Sequence, residues 1–366
     1  MGDYEVSKQY GVGILGNCCT HGEFVAAALH QEPQAKIIAG WEDDPRRKQG
    51  LAAAIGLELA SSAEELLENP RIDIIAIACS PHEKAAWVEK AAQVGKHIFL
   101  NKPMAESLNS ARSIEKAVTE HQVQLVYDIP VFVRFNSITA KILDEVRAGA
   151  YGRPINYTHS FSMTFSTDFP LATVWPERLD PPSKSGGGEM TNLGCYAIDY
   201  MIGLWGRPKS IQAKNTNYWN IYRQARIENF GQIIADYGSF FAILASGKQP
   251  LQTLPSMDVT EALHPRNWHN VLEMQFEAHN LTVMPFHNLL IHNGTQIPLE
   301  EYLDGTVCLT PFQQLTKAIE TSQTPDSNVE TARLGVEVLM AAYQSAMNDG
   351  RLVPLPLDGG ENPLVE

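Results

Sequence analysis

Gly13-Ile14-Leu15-Gly16-Asn17-Cys18-Cys19-Thr20-His21-Gly22 stands where a short apolar run, Val12 to Gly16, gives way to a stretch with helical spacing, Glu23 to His30. A strand that turns straight into a helix through glycines presents backbone N–H groups and a helix N-terminus to an anion, and glycine lets a pyrophosphate come close. Counted from Gly16, the G-x-G-x-x-G spacing falls on Gly16, Cys18 and His21, so two of its three glycines are absent. Two readings stay open at this point, a phosphate loop and a plain strand-to-helix turn.

The flanking sequence favours the first. Ala35 to Trp41, Ile72 to Cys79, His97 to Leu100 and Val123 to Tyr127 are further apolar runs that read as buried parallel strands. Helical stretches separate them: Pro45 to Ile55, Ala63 to Leu67, His82 to Val94 and Ser107 to His121. Such alternation predicts a doubly wound parallel sheet, whose ligands bind beyond the carboxyl ends of the strands. Gly16, Asn17, Cys18, Cys19, Thr20 and His21 after the first strand are therefore candidate cofactor contacts, with Cys79, Ser80 and Pro81 after the third. Glu42 closes the second strand about 20 residues past the loop, where an acidic side chain bonds ribose hydroxyls. No Lys or Arg adjoins it in the sequence to hold a 2′-phosphate, so NAD is expected over NADP.

From Gly152 the pattern changes to long alternating runs, Ile155 to Phe165, Lys209 to Trp219, Gln232 to Ala245 and Trp268 to Phe276, which predict antiparallel strands. One helix, Glu189 to Trp205, interrupts them, and two close the chain, Pro311 to Ser322 and Asn328 to Asp349. The expected organisation is an α/β chain with a Rossmann domain over 1–128 and an α+β domain with an open, mostly antiparallel sheet over 129–366.

Composition agrees. The 366 residues are 44% hydrophobic and 19% charged, enough for two cored domains. A net charge of -14 repels phosphate backbones and argues against nucleic acid. No apolar run approaches the ~20 residues of a membrane span, and Met1 to Tyr10 lacks a leader pattern. Five cysteines, at 18, 19, 79, 195 and 308, have no zinc spacing, so no metal is expected and a cytoplasmic location is.

Two runs carry candidate chemistry. Gly95-Lys96-His97-Ile98-Phe99-Leu100-Asn101-Lys102-Pro103 ends a buried strand on an amide and a cation, Asn101 and Lys102, positioned to touch a nicotinamide; the alternative is a lysine that merely caps the strand. Gly186-Gly187-Gly188-Glu189-Met190-Thr191-Asn192-Leu193-Gly194-Cys195-Tyr196-Ala197-Ile198-Asp199 places Asn192, Tyr196 and Asp199 on one helical face. That stripe is either a solvated face or a site wall, and the glycines, which permit close backbone approach, favour the wall.

Taken together, Gly13 to Gly16, Gly95-Lys96-His97, Lys102-Pro103, Arg134-Phe135-Asn136 and the triglycine helix ending at Asp199 resemble the glucose-fructose oxidoreductase and inositol dehydrogenase (Gfo/Idh/MocA) family. The resemblance implies an NAD(P)-dependent dehydrogenase acting on a secondary alcohol of a sugar or polyol. It also implies a homodimer or homotetramer formed through the second-domain sheet. It assigns Lys102 to the nicotinamide and the reacting hydroxyl, Tyr196 to proton transfer, and Asp199 to the same machinery. A phenol with a free pKa of ~10 suits that role beside an ammonium that lowers it. Arg178, Asn192 and His159 join Lys102 and Tyr196 as substrate contacts. Asn101 stands where the family has Glu and Asn192 where it has Asp. Those losses keep two other readings in play, a nucleotide-binding regulator without turnover and an NAD-assisted lyase or hydrolase.

Overall fold

The glycine-bearing stretch lies between strand β1 (Tyr10–Leu15) and helix α1 (His21–Leu29) in a computed structural model that describes residues 8–129 and 133–365. Most of Met1 to Tyr10 thus falls outside the described residues. Four more strands follow: β2 (Ala35–Trp41), β3 (Ile74–Ile77), β4 (His97–Asn101) and β5 (Leu125–Asp128). They form one parallel sheet in the order β2-β1-β3-β4-β5. The crossovers are helices α2 (Pro45–Ile55), α3 (Ala63–Glu68), α4 (Pro81–Gln93) and α5 (Leu108–Glu120). Because β2 and β3 lie on opposite sides of β1, the connections diverge there and open the crevice in which doubly wound folds bind ligands.

Val12, Ile14, Ile74, Ala76, Phe99 and Val126 turn one face of the sheet into a core, and Phe312 and Leu315 of the helix Pro311–Thr321 complete it. Phe312 meets Phe99 edge-on at 6.0 Å. Burying two such side chains contributes about 1.5–3 kcal/mol each. This late helix corrects the expected division of the chain. The first compact unit comprises 1–105, 109–128 and 309–332, and the second 106–108, 129–308 and 333–366. An apolar helical stripe shows in the sequence, but not which sheet it will cover.

Glycine explains the turn after β1. Gly16 has φ +88, and a Cβ there would lie 2.6 Å from the Cys79 backbone. A Cβ on Gly22 would lie 2.4 Å from the Gly16 carbonyl oxygen. The close helix–strand contact that the motif's last glycine allows is thus made by Gly22, one position later than the spacing predicts. Cys19 and Thr20 take up the extra residue in left-handed conformations, φ 51 and 62, at about 1–2 kcal/mol each. Gly22→Ala should lower stability by ~1–3 kcal/mol and weaken NADH binding, measured by urea unfolding and fluorescence titration; wild-type values for both would refute this packing role.

The second unit holds a nine-stranded sheet built from β6 (Pro154–Ser166), β7 (Ser210–Thr216), β8 (Phe230–Asp236), β9 (Phe241–Leu251), β10 (Trp268–Phe276), β11 (Asn280–Met284), β12 (Leu289–His292), β13 (Thr295–Gln296) and β14 (Val353–Pro354). Its order is β13-β12-β11-β10-β6-β9-β8-β7-β14, antiparallel except for the β6–β9 pair. The run Gln232 to Ala245, expected as one strand, is a hairpin. Gly238, at φ +88, makes its turn, and its N–H donates to the Asp236 carboxylate at 2.6 Å. The short strands β11 to β13 had no counterpart in the sequence reading, since each is too brief to show a period. The helix Gly194–Trp205 covers β6 and β9 on one face. On the other, Ile234 lies opposite Ile243, and Ile234 and Phe241 are exposed.

Candidate active site

The crevice beside β1 collects the expected cofactor residues of the first unit. The Cys18 N–H donates to the Ala78 carbonyl at 3.0 Å, joining the loop after β1 to the end of β3. Ser80 and Pro81 start α4, with Glu83 accepting from the Ser80 N–H at 3.1 Å in a capping box. Glu42 is buried and accepts from the Asn17 N–H at 2.6 Å, the Asp44 N–H at 2.9 Å and the Arg47 guanidinium at 2.9 Å. Burial raises its carboxyl, opposed by the Asp44 N–H and the Arg47 charge. The expectation that no basic side chain stands beside Glu42 is therefore corrected. Arg47 lies five residues along the chain, and the first turn of α2 swings it back. Gly16 and the Glu42 carboxylate stand at the carboxyl ends of β1 and β2, the end of the sheet where a bound dinucleotide would place its pyrophosphate and ribose.

At the end of β4, Asn101 and Lys102 are both buried. Surface capping by Lys102 is thereby excluded. The Asn101 amide donates to the Asp128 carboxylate at 2.9 Å, and the buried Lys84 ammonium donates to the carbonyls of Asn101 and, at 2.7 Å, Pro103. Neither Asp128 nor Lys84 stood out in the sequence, because Asp128 arrives by strand register and Lys84 by the packing of α4.

In the second unit the expected helix is interrupted at Leu193, giving Glu189–Asn192 and Gly194–Trp205. Asn192, Tyr196 and Asp199 are all buried, which rules out the solvated face. Tyr196 stacks on Phe161 with ring centroids 4.7 Å apart. Asp199 pairs with Arg134 at 2.8 Å, each nearly inaccessible. Asn192 joins a polar cluster: its amide donates to Glu189 at 2.8 Å, and its carbonyl oxygen accepts from Arg178. Glu189 also meets Lys248 at 2.9 Å and accepts from the Tyr222 hydroxyl. Burial works to raise the Glu189 carboxyl, but the charges of Lys248 and Arg178 together with the hydrogen bonds from Tyr222 and Asn192 hold the group below its usual range. Glu189 sits inside the quoted triglycine run, yet without its partners it read as an ordinary helix residue.

The triglycine itself has a different use from the one expected. A Cβ on Gly188 would lie 2.0 Å from the Glu228 carbonyl, and one on Gly187 2.2 Å from the Tyr343 hydroxyl. The close approach that glycine permits is made to the chain itself, to Glu228 just before β8 and to Tyr343 of the helix Val329–Met347. Buried Glu228 accepts there from the Gly188 N–H at 3.1 Å, the Met190 N–H at 2.9 Å and the Tyr343 hydroxyl at 2.8 Å.

His159 is also enclosed. The Tyr157 hydroxyl donates to its Nδ1 at 3.0 Å, and pairing with Asn270 Oδ1 at 3.0 Å assigns the proton to Nε2. Burial lowers its pKa to about 4, against the Asn270 hydrogen bond that raises it. The unfolded chain takes up this proton near pH 6.5 and the folded one only near 4, so the stability His159 contributes is present above 6.5 and lost as pH falls. Urea unfolding should show a loss of up to ~3 kcal/mol across that window that His159→Gln reduces; an unchanged slope would show a charged imidazole instead.

Among the described residues, no three His, Cys, Asp or Glu side chains group as a metal site, and no helix is long and apolar enough to cross a membrane. Residues 10–129 match the model of an oxidoreductase family with an NAD-binding Rossmann fold, and residues 139–247 match the GFO/IDH/MocA C-terminal domain. The chain belongs to the Gfo/Idh/MocA family. Among its relatives, D-xylose 1-dehydrogenase (NADP(+)) 2 of Haloferax volcanii is 23% identical over 91% of this chain and 96% of its own. The scyllo-inositol 2-dehydrogenase (NAD(+)) of Bacillus subtilis is 30% identical over 40% of this chain and 41% of its own. A levoglucosan dehydrogenase solved with NADH and levoglucosan shares the fold, with a TM-score of 0.77 and 16% identity over 96% of this chain and all of that one. As a family member, the chain is an oxidoreductase with an NAD-binding Rossmann domain.

Proposed function

We infer that this protein is an NAD-dependent dehydrogenase that moves a hydride between the nicotinamide and a secondary alcohol of a sugar or polyol. What carries the reading is the two-part family match, joined to a buried ammonium, Lys102, at the carboxyl end of a Rossmann strand. The xylose, inositol and levoglucosan dehydrogenases named above support the substrate class. When bound, NAD takes or gives the hydride. The chain's own side chains do the rest in our proposal: Lys102 holds the reacting hydroxyl by charge, Tyr196 transfers its proton, and Asp199 positions the Tyr196 helix through Arg134. Arg178 and Asn192 contact the substrate. His159 is left to the core by its two internal hydrogen bonds.

We further propose a cytoplasmic enzyme, since none of the five cysteines forms a disulfide, and a homodimer or homotetramer formed through the exposed face carrying Ile234 and Phe241. The test of function is NADH formation by purified protein with NAD and a panel of aldoses, inositols and anhydrosugars. Turnover of at least one is expected. Tight NADH binding with no turnover across the panel would replace this reading by the regulatory one.

A further inference from the structure

The residue before Lys102 is Asn101, an uncharged amide. Strand β5 brings a carboxylate to that amide. Asn101 and Asp128 are register partners at the ends of parallel strands, the Lys102 N–H donates to the Asp128 carbonyl at 3.2 Å, and the Asn101 amide bonds the Asp128 carboxylate at 2.9 Å. All three residues are buried. Lys84, reaching in from α4, fixes the turn by its bonds to the carbonyls on either side of Lys102.

We propose that Asp128 is the positioning residue of Lys102: from the adjacent strand it supplies the counter-charge that keeps the ammonium in place, and Asn101 carries no charge but ties the carboxylate to the turn. This rests on the catalytic reading of Lys102 given above. The electrostatics agree with the geometry. Burial pushes the Asp128 carboxyl up to about 6, while the Asn101 hydrogen bond and the charges of Lys84 and Lys102 pull it down. Among the described residues, those are the groups that face it from β4, its following turn and α4. A carboxylate so placed is ionised when Lys102 works near neutral pH and loses its charge under mild acid.

The exchange of the two side chains gives the sharpest test, because Asn101→Asp with Asp128→Asn keeps the hydrogen bond and moves the carboxylate across it. Asp128→Asn alone, nearly isosteric, should lower kcat at least ~10-fold with little change in KM or NADH affinity and should shift the acid limb of the pH profile. The exchanged double variant should recover most of that loss. Wild-type kcat and profile in Asp128→Asn, or an exchange as impaired as the single variant, would overturn the proposal. An activity-free arm separates it from the proposed function: carbon-13 carboxyl titration, with Asp128 assigned by its Asn variant. There Lys102→Met should move the Asp128 midpoint upward by ~1 pH unit. A midpoint indifferent to Lys102→Met overturns the pairing whether or not any sugar turns over.

Discussion

Tyr196→Phe is expected to lower turnover by about 10²–10⁴-fold, the usual contribution of a positioned proton donor or acceptor, while leaving NADH affinity unchanged. The substitution is a fair probe because Tyr196 is buried and stacked on Phe161, so a phenyl ring keeps the packing and removes only the hydroxyl. Thermal unfolding of the variant should match wild type closely. Full activity in Tyr196→Phe would end the proton-transfer assignment and return attention to Lys102 and the Glu189 cluster.

The second large effect is on cofactor choice. Wild-type protein should bind NADH more tightly than NADPH, because the buried Glu42 carboxylate accepts ribose hydroxyls and repels a 2′-phosphate. Arg47 complicates the arrangement, since it already neutralises Glu42 at 2.9 Å and also lies 3.6 Å from Asp43 and 3.8 Å from Asp44. Glu42→Ala should therefore do more than weaken NADH. It removes the acceptor, worth about 1.5–3 kcal/mol for a hydrogen bond to a charged group, and leaves the Arg47 guanidinium beside the 2′ position. NADH affinity should fall roughly 10–100-fold and NADPH affinity should rise, so that the preference inverts. Calorimetric titration of both nucleotides decides it; parallel losses for NADH and NADPH would show that Glu42 acts by holding the Asn17 and Asp44 backbone rather than by reading the ribose.

What the sequence disclosed follows from local physics. The apolar runs before Gly16 and Asn101 read as parallel strands because such runs need burial on both faces, whereas the run ending at Trp41 forms the edge strand and is only partly buried. Candidate ligand residues could be assigned to the strand ends from topology alone. Glu42 was legible by its distance from the loop, and Lys102 by its place after a buried strand. The glycine loop after β1 was only half legible. The motif's spacing named His21, yet the glycine that matters is Gly22, because two left-handed residues absorb the extra position.

The tertiary structure alone decided which charges meet. Arg47 reaches Glu42 through a helix turn, Asp128 reaches Asn101 through parallel register, and Lys248 reaches Glu189 from strand β9 to the helix packed on it. Each pair is separated in the chain by residues whose local pattern says nothing of the partner. The same holds for the helix Pro311–Thr321, whose stripe of Phe312 and Leu315 could have covered any apolar face until folding gave it the first sheet. Periodicity depends on neighbours a few residues apart, so it determines elements and their faces. The charge on a buried group depends on what packs against it from elsewhere in the chain, and only the folded arrangement sets that.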